Sequence, residues 1–167
     1  MNNIYLVGFM GSGKSAIGRV LSRMTYRRFM DTDAMIVERE GMEIPQIFEQ
    51  KGEAYFRQVE TDVMKSLVQE KNRVVSCGGG VAMRPENVAL MREGGHVVLL
   101  QATPQTILKR VAHDENRPLL KGRKNIEGIT ELMNTRMPAY QKAAEYIVQT
   151  DGRSMEDIAG EIKGLFY

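Results

Sequence analysis

The residues with the clearest chemical purpose form a glycine-rich loop near the N-terminus. From Gly8 to Ser15 the chain reads GFMGSGKS, which fits the pattern G-x-x-x-x-G-K-[ST] at every position. Gly8 and Gly13 can adopt positive φ, so the backbone N–H groups of the loop can converge on an anion. In such a loop, Lys14 would reach the terminal phosphates of a nucleotide and the Ser15 hydroxyl would bind Mg²⁺. We therefore predict a phosphate-binding loop, the alternative being a glycine-rich turn that binds nothing.

The flanking segments agree with this prediction. The apolar run Ile4-Tyr5-Leu6-Val7 before the loop is typical of a buried strand. After the loop, apolar residues recur at helical spacing on one face, namely Ile17, Val20, Leu21 and Met24. The motif requires this order of strand, loop and helix.

An acidic pair follows the next predicted strand, residues 28–31. Asp31 and Asp33 are two positions apart, just past the carboxyl end of that strand, which would place them beside the phosphate-binding loop. Alternatively, Asp33 is simply the N-cap of a helix from Ala34 to Arg39. The neighbouring loop favours a role in the site.

Two further segments have both a structural and a functional interpretation. Arg57 lies off the buried stripe of a helix predicted from Glu53 to about Glu70, so on its own it is typical of an exposed surface arginine. The triplet Gly78-Gly79-Gly80 ends a strand and is either a tight turn or a place where bare backbone approaches a ligand closely. A turn needs one or two glycines, and the third favours close approach.

A cationic segment interrupts the pattern between His113 and Lys124. Charged residues alternate there with Pro118 and Gly122, which excludes a continuous helix. The segment is either an ordinary surface loop or a mobile lid, at about residues 112–124, that closes over a polyphosphate with Arg117.

The remaining periodicity predicts an α/β fold. Five apolar strands alternate with helices, which indicates a five-stranded parallel sheet with helices on both faces. Pro45 is expected to interrupt the helical pattern between Gly41 and Gly52, and Pro138 to kink or restart the helix predicted from Ile126 to Ala144.

Composition limits the classes of protein to consider. The 167 residues suit a single domain, and a net charge of +2 is too balanced to indicate a nucleic-acid partner. The single cysteine, Cys77, excludes an internal disulfide and a zinc site built on thiolates. The chain has no apolar run of membrane-spanning length and no signal-peptide pattern, so we expect a cytoplasmic protein without a membrane partner, whose size permits a monomer.

Taken together, the motifs resemble those of the shikimate kinase family, small P-loop kinases related to the nucleoside monophosphate kinases. The resemblance covers nearly the whole chain and rests on an ordered set of motifs: GxxGxGKS at Gly8–Ser15, DTD at Asp31–Asp33, FR at Phe56–Arg57, GGG at Gly78–Gly80, RPLL at Arg117–Leu120 and RxxxY at Arg136–Tyr140. It implies a three-layer P-loop kinase fold in one domain, residues 1–167. It also implies a substrate-binding insertion at about 32–61 and the lid named above.

The resemblance also implies a reaction and a role for each matched residue. The γ-phosphoryl group of ATP would pass to the 3-hydroxyl of shikimate, with Lys14, Asp33 and Arg117 as catalytic residues and Ser15 and Asp31 binding Mg²⁺. The residues implied to bind the nucleotide are Gly11, Ser12, Gly13, Lys14, Ser15, Ala16, Arg110, Arg117 and Arg153. Those implied to bind shikimate are Asp33, Arg57, Gly78, Gly79, Gly80 and Arg136.

Two other functions fit parts of the same pattern. A gluconate-type sugar-acid kinase of the same fold also phosphorylates a hydroxylated acid, but neither His96 nor His113 lies in the G-D-x-L-H-P type of segment of that family. A regulatory nucleotide-binding module would not need the full set of charged residues named above.

Overall fold

The computed structural model describes residues 2–112 and 125–167. The predicted cationic lid and Arg117 lie outside these residues, apart from Ala112. The strands are β1 Asn3–Val7, β2 Arg28–Asp31, β3 Arg73–Ser76, β4 Gly95–Gln101 and β5 Tyr146–Gln149. The α-helices of the described part are α1 Lys14–Thr25, α2 Thr32–Glu40, α3 Ile44–Lys51, α4 Glu53–Val68, α5 Pro85–Gly94, α6 Pro104–Val111, α7 Ile126–Ala143 and α8 Met155–Phe166, with a short 3₁₀ helix at Val81–Met83.

The five strands form one parallel sheet in the order β2-β3-β1-β4-β5. β1 is central and pairs with β3 on one side and β4 on the other. The chain therefore leaves β1 toward one edge of the sheet and later crosses to the other edge. This change of direction opens a crevice at the carboxyl end of β1, where ligands bind in sheets of this kind.

Alternate residues of the strands are buried on opposite faces of the sheet. In β1, Tyr5 and Val7 belong to an apolar cluster with α2 to α7, whereas Ile4 and Leu6 belong to a second cluster with α1 and α8. All four side chains are at most 1% exposed. The predicted parallel sheet with helices on both faces is confirmed, and burial on both faces explains why the central strand β1 carries the continuous apolar run Ile4–Val7.

The first turns of two helices differ from the prediction. Asp31, and not Asp33, is the N-cap of α2, since its Oδ1 accepts the backbone N–H of Ala34 at 3.2 Å. Pro45 does not interrupt α3, because it lies in the first turn, where its missing N–H costs nothing. The predicted insertion, residues 32–61, consists of α2, α3 and the first half of α4.

Pro138 does not restart the helix predicted from Ile126 to Ala144. α7 is a single helix from Ile126 to Ala143 with Pro138 inside it. An interior proline costs about 3 kcal/mol. Buried residues on both sides of it, among them Met133 and Tyr140, pack α7 against the sheet and offset that cost. None of the helices in the described ranges combines the length and apolar character needed to cross a bilayer.

Candidate active site

A cavity of about 260 Å³ lies at the carboxyl ends of β1, β2 and β3. It is lined by Met10, Gly11, Gly13, Lys14, Ser15, Ala16, Asp31, Asp33, Ser76, Cys77, Gly78, Gly79 and Arg110. The predicted phosphate-binding loop, the acidic pair and the glycine triplet therefore share one crevice.

The phosphate-binding loop has the geometry of an anion site. Gly11 and Gly13 adopt positive φ, and Gly13 is the N-cap of α1. The loop thus presents its N–H groups where the helix dipole favours an anion. The Lys14 ammonium lies within the loop and donates to the carbonyl oxygens of Gly8 at 2.8 Å and Phe9 at 3.0 Å. A phosphate would offer it a charged acceptor in place of these carbonyls.

Oxygen ligands suitable for Mg²⁺ lie beside the loop. The Ser15 hydroxyl donates to Asp31 Oδ2 at 2.7 Å and is 3.1 Å from the Ser76 hydroxyl. Mg²⁺ prefers oxygen ligands and is usually held by one or two protein groups together with phosphate oxygens and water. This donor set fits that ion. Within the described ranges, no three acidic, histidine or cysteine side chains cluster into an all-protein metal site.

The glycine triplet is crowded by charged side chains. A Cβ at Gly78 would lie 2.7 Å from Asp33 Oδ1 and 2.9 Å from Glu60 Oε2, and one at Gly79 would lie 3.1 Å from Arg136 Nη1. A Cβ at Gly80 would overlap the Arg57 guanidinium. None of the three glycines has positive φ. Glycine leaves room here for four charged side-chain groups that approach the backbone. Close approach of the triplet to a ligand stays a prediction.

Several hydrogen-bond donors at the triplet have no acceptor. Arg136 is only 6% exposed, and its Nη1 has no hydrogen-bond partner among the described residues. The same holds for the backbone N–H groups of Gly79 and Gly80 in the described part of the chain. A buried donor without an acceptor costs about 1–3 kcal/mol. These donors are therefore arranged to bind an anion, which none of the described residues supplies.

Arg57 completes this group from α4. Its guanidinium donates to Glu60 at 3.0 Å and to Glu53 at 3.3 Å, and its side chain is 17% exposed. It is therefore not the surface arginine that its position off the apolar stripe indicates, because the polar face of α4 turns toward the glycine triplet.

Glu60 was not predicted from the sequence. Its side chain is 1% exposed, and burial raises its pKa, while the Arg57 guanidinium lowers it and the Asp33 carboxylate raises it further. One carboxylate oxygen has no partner among the described residues. The sequence does contain one indication of the Arg57–Glu60 ion pair, because residues three apart on a helix lie on the same face.

The raised pKa of Glu60 predicts a pH dependence of stability. Because folding favours the protonated form, its contribution to the free energy of unfolding falls as pH rises from the unfolded value near 4.5 through the raised folded value. Glu60→Gln should remove this pH dependence. In urea unfolding, the free energy of unfolding of the variant should therefore rise relative to that of the wild type as pH rises. The exposed Glu86 is the matched control, and its Gln variant should follow the wild type at every pH.

Three arginines predicted to contact the nucleotide differ in position. Arg110 lines the cavity, and its guanidinium donates to the carbonyl of Gly11 at 3.0 Å. Arg153 lies outside the described lining of the cavity and pairs with Asp157 and Glu161 on α8. Arg117 lies outside the described residues. The nucleotide-binding roles of all three arginines stay predictions.

Comparison with known proteins shows which protein family this chain resembles. The family model described as Shikimate kinase matches residues 10–165. A shikimate kinase from Geobacter sulfurreducens is 46% identical over 160 residues, which are 96% of this chain and 88% of that protein.

Solved structures give the same result. Shikimate kinase from Acinetobacter baumannii in complex with shikimate aligns with a TM-score of 0.95 at 37% identity, covering 99% of this chain and 92% of that one. A gluconokinase from Sinorhizobium meliloti 1021 aligns with a TM-score of 0.58 at 17% identity over 96% of this chain and 88% of its own, and shares the fold alone. The chain therefore belongs to the shikimate kinase family.

Proposed function

We propose that this protein transfers the γ-phosphoryl group of ATP to the 3-hydroxyl of shikimate, giving shikimate 3-phosphate for aromatic amino acid biosynthesis. The observation that carries the proposal is the group of unsatisfied donors beside the phosphate-binding loop. Arg136 Nη1 and the N–H groups of Gly79 and Gly80 lack acceptors within the described chain, and the Arg57 guanidinium lies against Gly80. A planar carboxylate on the acceptor molecule satisfies such a set, because guanidinium groups bind carboxylate oxygens in pairs.

The remaining groups divide between the two substrates. Lys14 and the N–H groups of the loop would hold the β- and γ-phosphates, with Arg110 at the outer side of the loop. Ser15 and Asp31 would hold Mg²⁺, which neutralises charge on the transferring phosphoryl group. Arg117 would contact the phosphates from the lid.

Asp33 would orient the acceptor hydroxyl. Its carboxylate lies against Gly78 and lines the same cavity as Lys14. A carboxylate there can accept the hydroxyl proton as the oxygen attacks phosphorus. Phosphoryl transfer depends mainly on positioning and charge stabilisation, so this role needs no large change in its acidity.

A coupled assay of ADP release tests the proposal. ATP and Mg²⁺ are supplied with shikimate, with gluconate or with no acceptor. We expect ADP release that requires shikimate. Release with gluconate would favour the sugar-acid kinase, and release that shikimate does not increase would overturn the proposal in favour of a nucleotide-binding regulatory module.

We further propose that the enzyme acts as a monomer in the cytoplasm, where ATP is available, with no nucleic-acid or membrane partner. Support comes from the balanced net charge of +2, which offers no strongly basic surface for nucleic acid, and from the small size of 167 residues, which permits a monomer. Sedimentation of the active enzyme tests the first point, and a mass of two chains would contradict it.

A further inference from the structure

The backbone of the glycine triplet is held by a small set of hydrogen bonds. The N–H of Gly78 donates to the Thr32 hydroxyl at 2.8 Å, and its carbonyl accepts from Val81. The carbonyl of Gly80 accepts from Met83. The carbonyl of Gly79 accepts from the Tyr140 hydroxyl at 2.5 Å. The N–H groups of Gly79 and Gly80 have no acceptor among residues 2–112 and 125–167 and can bind a ligand.

The Tyr140 bond acts on the peptide unit that joins Gly79 to Gly80. In a trans peptide the carbonyl of one residue and the N–H of the next point in opposite directions, and the described chain contains no cis peptide. By holding the Gly79 carbonyl on the side of α7, Tyr140 directs the Gly80 N–H to the opposite side. No other side chain in the described part of the structure bonds this peptide unit.

This peptide unit is one that can turn over easily. Turning it by half a turn would change φ of Gly80 from −96° to about +84°, which is accessible to glycine and disfavoured for other residues. A larger residue at Gly80 would displace the Arg57 guanidinium, which occupies the space of its Cβ. In the turned-over form, the carbonyl oxygen of Gly79 would point to the ligand carboxylate and repel it.

We propose that Tyr140 is a positioning residue that holds the Gly79–Gly80 peptide so that the Gly80 N–H faces the carboxylate of the acceptor. The inference rests on the proposed function. The Tyr140 side chain is 1% exposed, and burial raises the pKa of its hydroxyl, so it remains a protonated donor. Tyr140 touches the backbone of the triplet, and its effect on the substrate passes through Gly80.

Tyr140→Phe removes this one hydrogen bond and keeps the ring. We expect the KM for shikimate to rise roughly tenfold, as for loss of a hydrogen bond in a binding site. The KM for ATP and the kcat at saturating shikimate should stay unchanged, because only binding of the acceptor is weakened. The matched control is Tyr5→Phe, which removes a buried hydroxyl bonded to Asn3 elsewhere in the same core. It should lower the melting temperature without changing either KM.

A spectroscopic measurement separates positioning from general loosening. Glycine labelled with ¹³C at the carbonyl and ¹⁵N at the amide gives a carbonyl-to-amide correlation only where glycine follows glycine, namely at Gly79, Gly80 and Gly95. Shikimate should move the Gly80 amide resonance strongly in the wild type and weakly in Tyr140→Phe, while Gly95 stays in place.

Each outcome has one meaning. An unchanged KM for shikimate in Tyr140→Phe, a parallel loss of kcat and ATP affinity, or a full Gly80 response in the variant would overturn the inference. A wild type without shikimate-dependent ADP release would overturn the proposed function itself.

Discussion

Lys14→Ala should lower kcat by roughly 10²- to 10³-fold, the range found when one preorganised charge-stabilising donor is removed. The lysine is 8% exposed, at the start of α1, and its ammonium lies against the backbone carbonyls of the phosphate-binding loop. In the proposed reaction it would move from these carbonyls to the β- and γ-phosphates, where charge develops during transfer. The measurement is kcat at saturating ATP and shikimate.

The control for this substitution is Lys109→Ala. Lys109 is exposed on α6, close in sequence to Arg110 and outside the described lining of the cavity. Both variants lose one positive charge, so a purely long-range electrostatic effect would lower kcat in both. We expect Lys109→Ala to match the wild type. If Lys14→Ala kept most of its kcat, the loop would bind nucleotide without taking part in the transfer.

Arg136→Met should raise the KM for shikimate by about 30- to 800-fold, equivalent to about 2–4 kcal/mol for loss of a buried charged contact. Methionine keeps much of the apolar stem and removes the guanidinium. Without ligand, that guanidinium is buried with one N–H lacking a partner among the described residues. The unliganded variant should therefore melt at the same temperature as the wild type or higher, because a costly buried group has been removed.

Arg92→Met is the matched control for Arg136. Arg92 is exposed on α5 and donates to the carbonyl of Lys142 on α7, the helix that carries Arg136. Its loss should leave both KM values unchanged. An unchanged KM for shikimate in Arg136→Met would mean that the acceptor carboxylate binds elsewhere.

The fold could be predicted from the sequence to within a residue or two at most strand ends. The central strands β1, β3 and β4 bury both faces, so their apolar runs are continuous and easy to delimit. The sequence predicts strands at residues 74–77 and 145–148, and the structure has them at Arg73–Ser76 and Tyr146–Gln149. The two prolines were harder to predict, because the effect of a proline depends on where its helix begins and on the packing around it. Pro45 lies in a first turn, and Pro138 is tolerated in a well-packed helix.

The site could be predicted in part. The phosphate-binding loop is a local motif whose residues act where they lie in the chain, and the structure brings Gly8 to Ser15 together as expected. Arg57 could not be placed from periodicity, because the pattern of α4 shows which face is polar but not what that face meets. Asp31 is both the cap of α2 and the acceptor of the Ser15 hydroxyl, a combination that only the tertiary structure shows.

The donor side chains that meet at the glycine triplet are brought there by contacts between residues distant in the sequence. Arg136 and Tyr140 lie more than fifty residues beyond Gly79 in the sequence, and both reach it from α7. The RxxxY motif places the two side chains one helical turn apart. It gives no information about the backbone carbonyl that Tyr140 binds.

The central claim is that one carboxylate of the acceptor satisfies the donors at the glycine triplet while its hydroxyl lies at Asp33. A crystal structure with shikimate, ADP and Mg²⁺ tests this most directly. We expect the carboxylate to bind Arg57, Arg136 and the Gly80 N–H, and the 3-hydroxyl to bind Asp33 on the side that faces Lys14. A carboxylate bound away from the triplet, with Arg136 still lacking an acceptor, would contradict the claim.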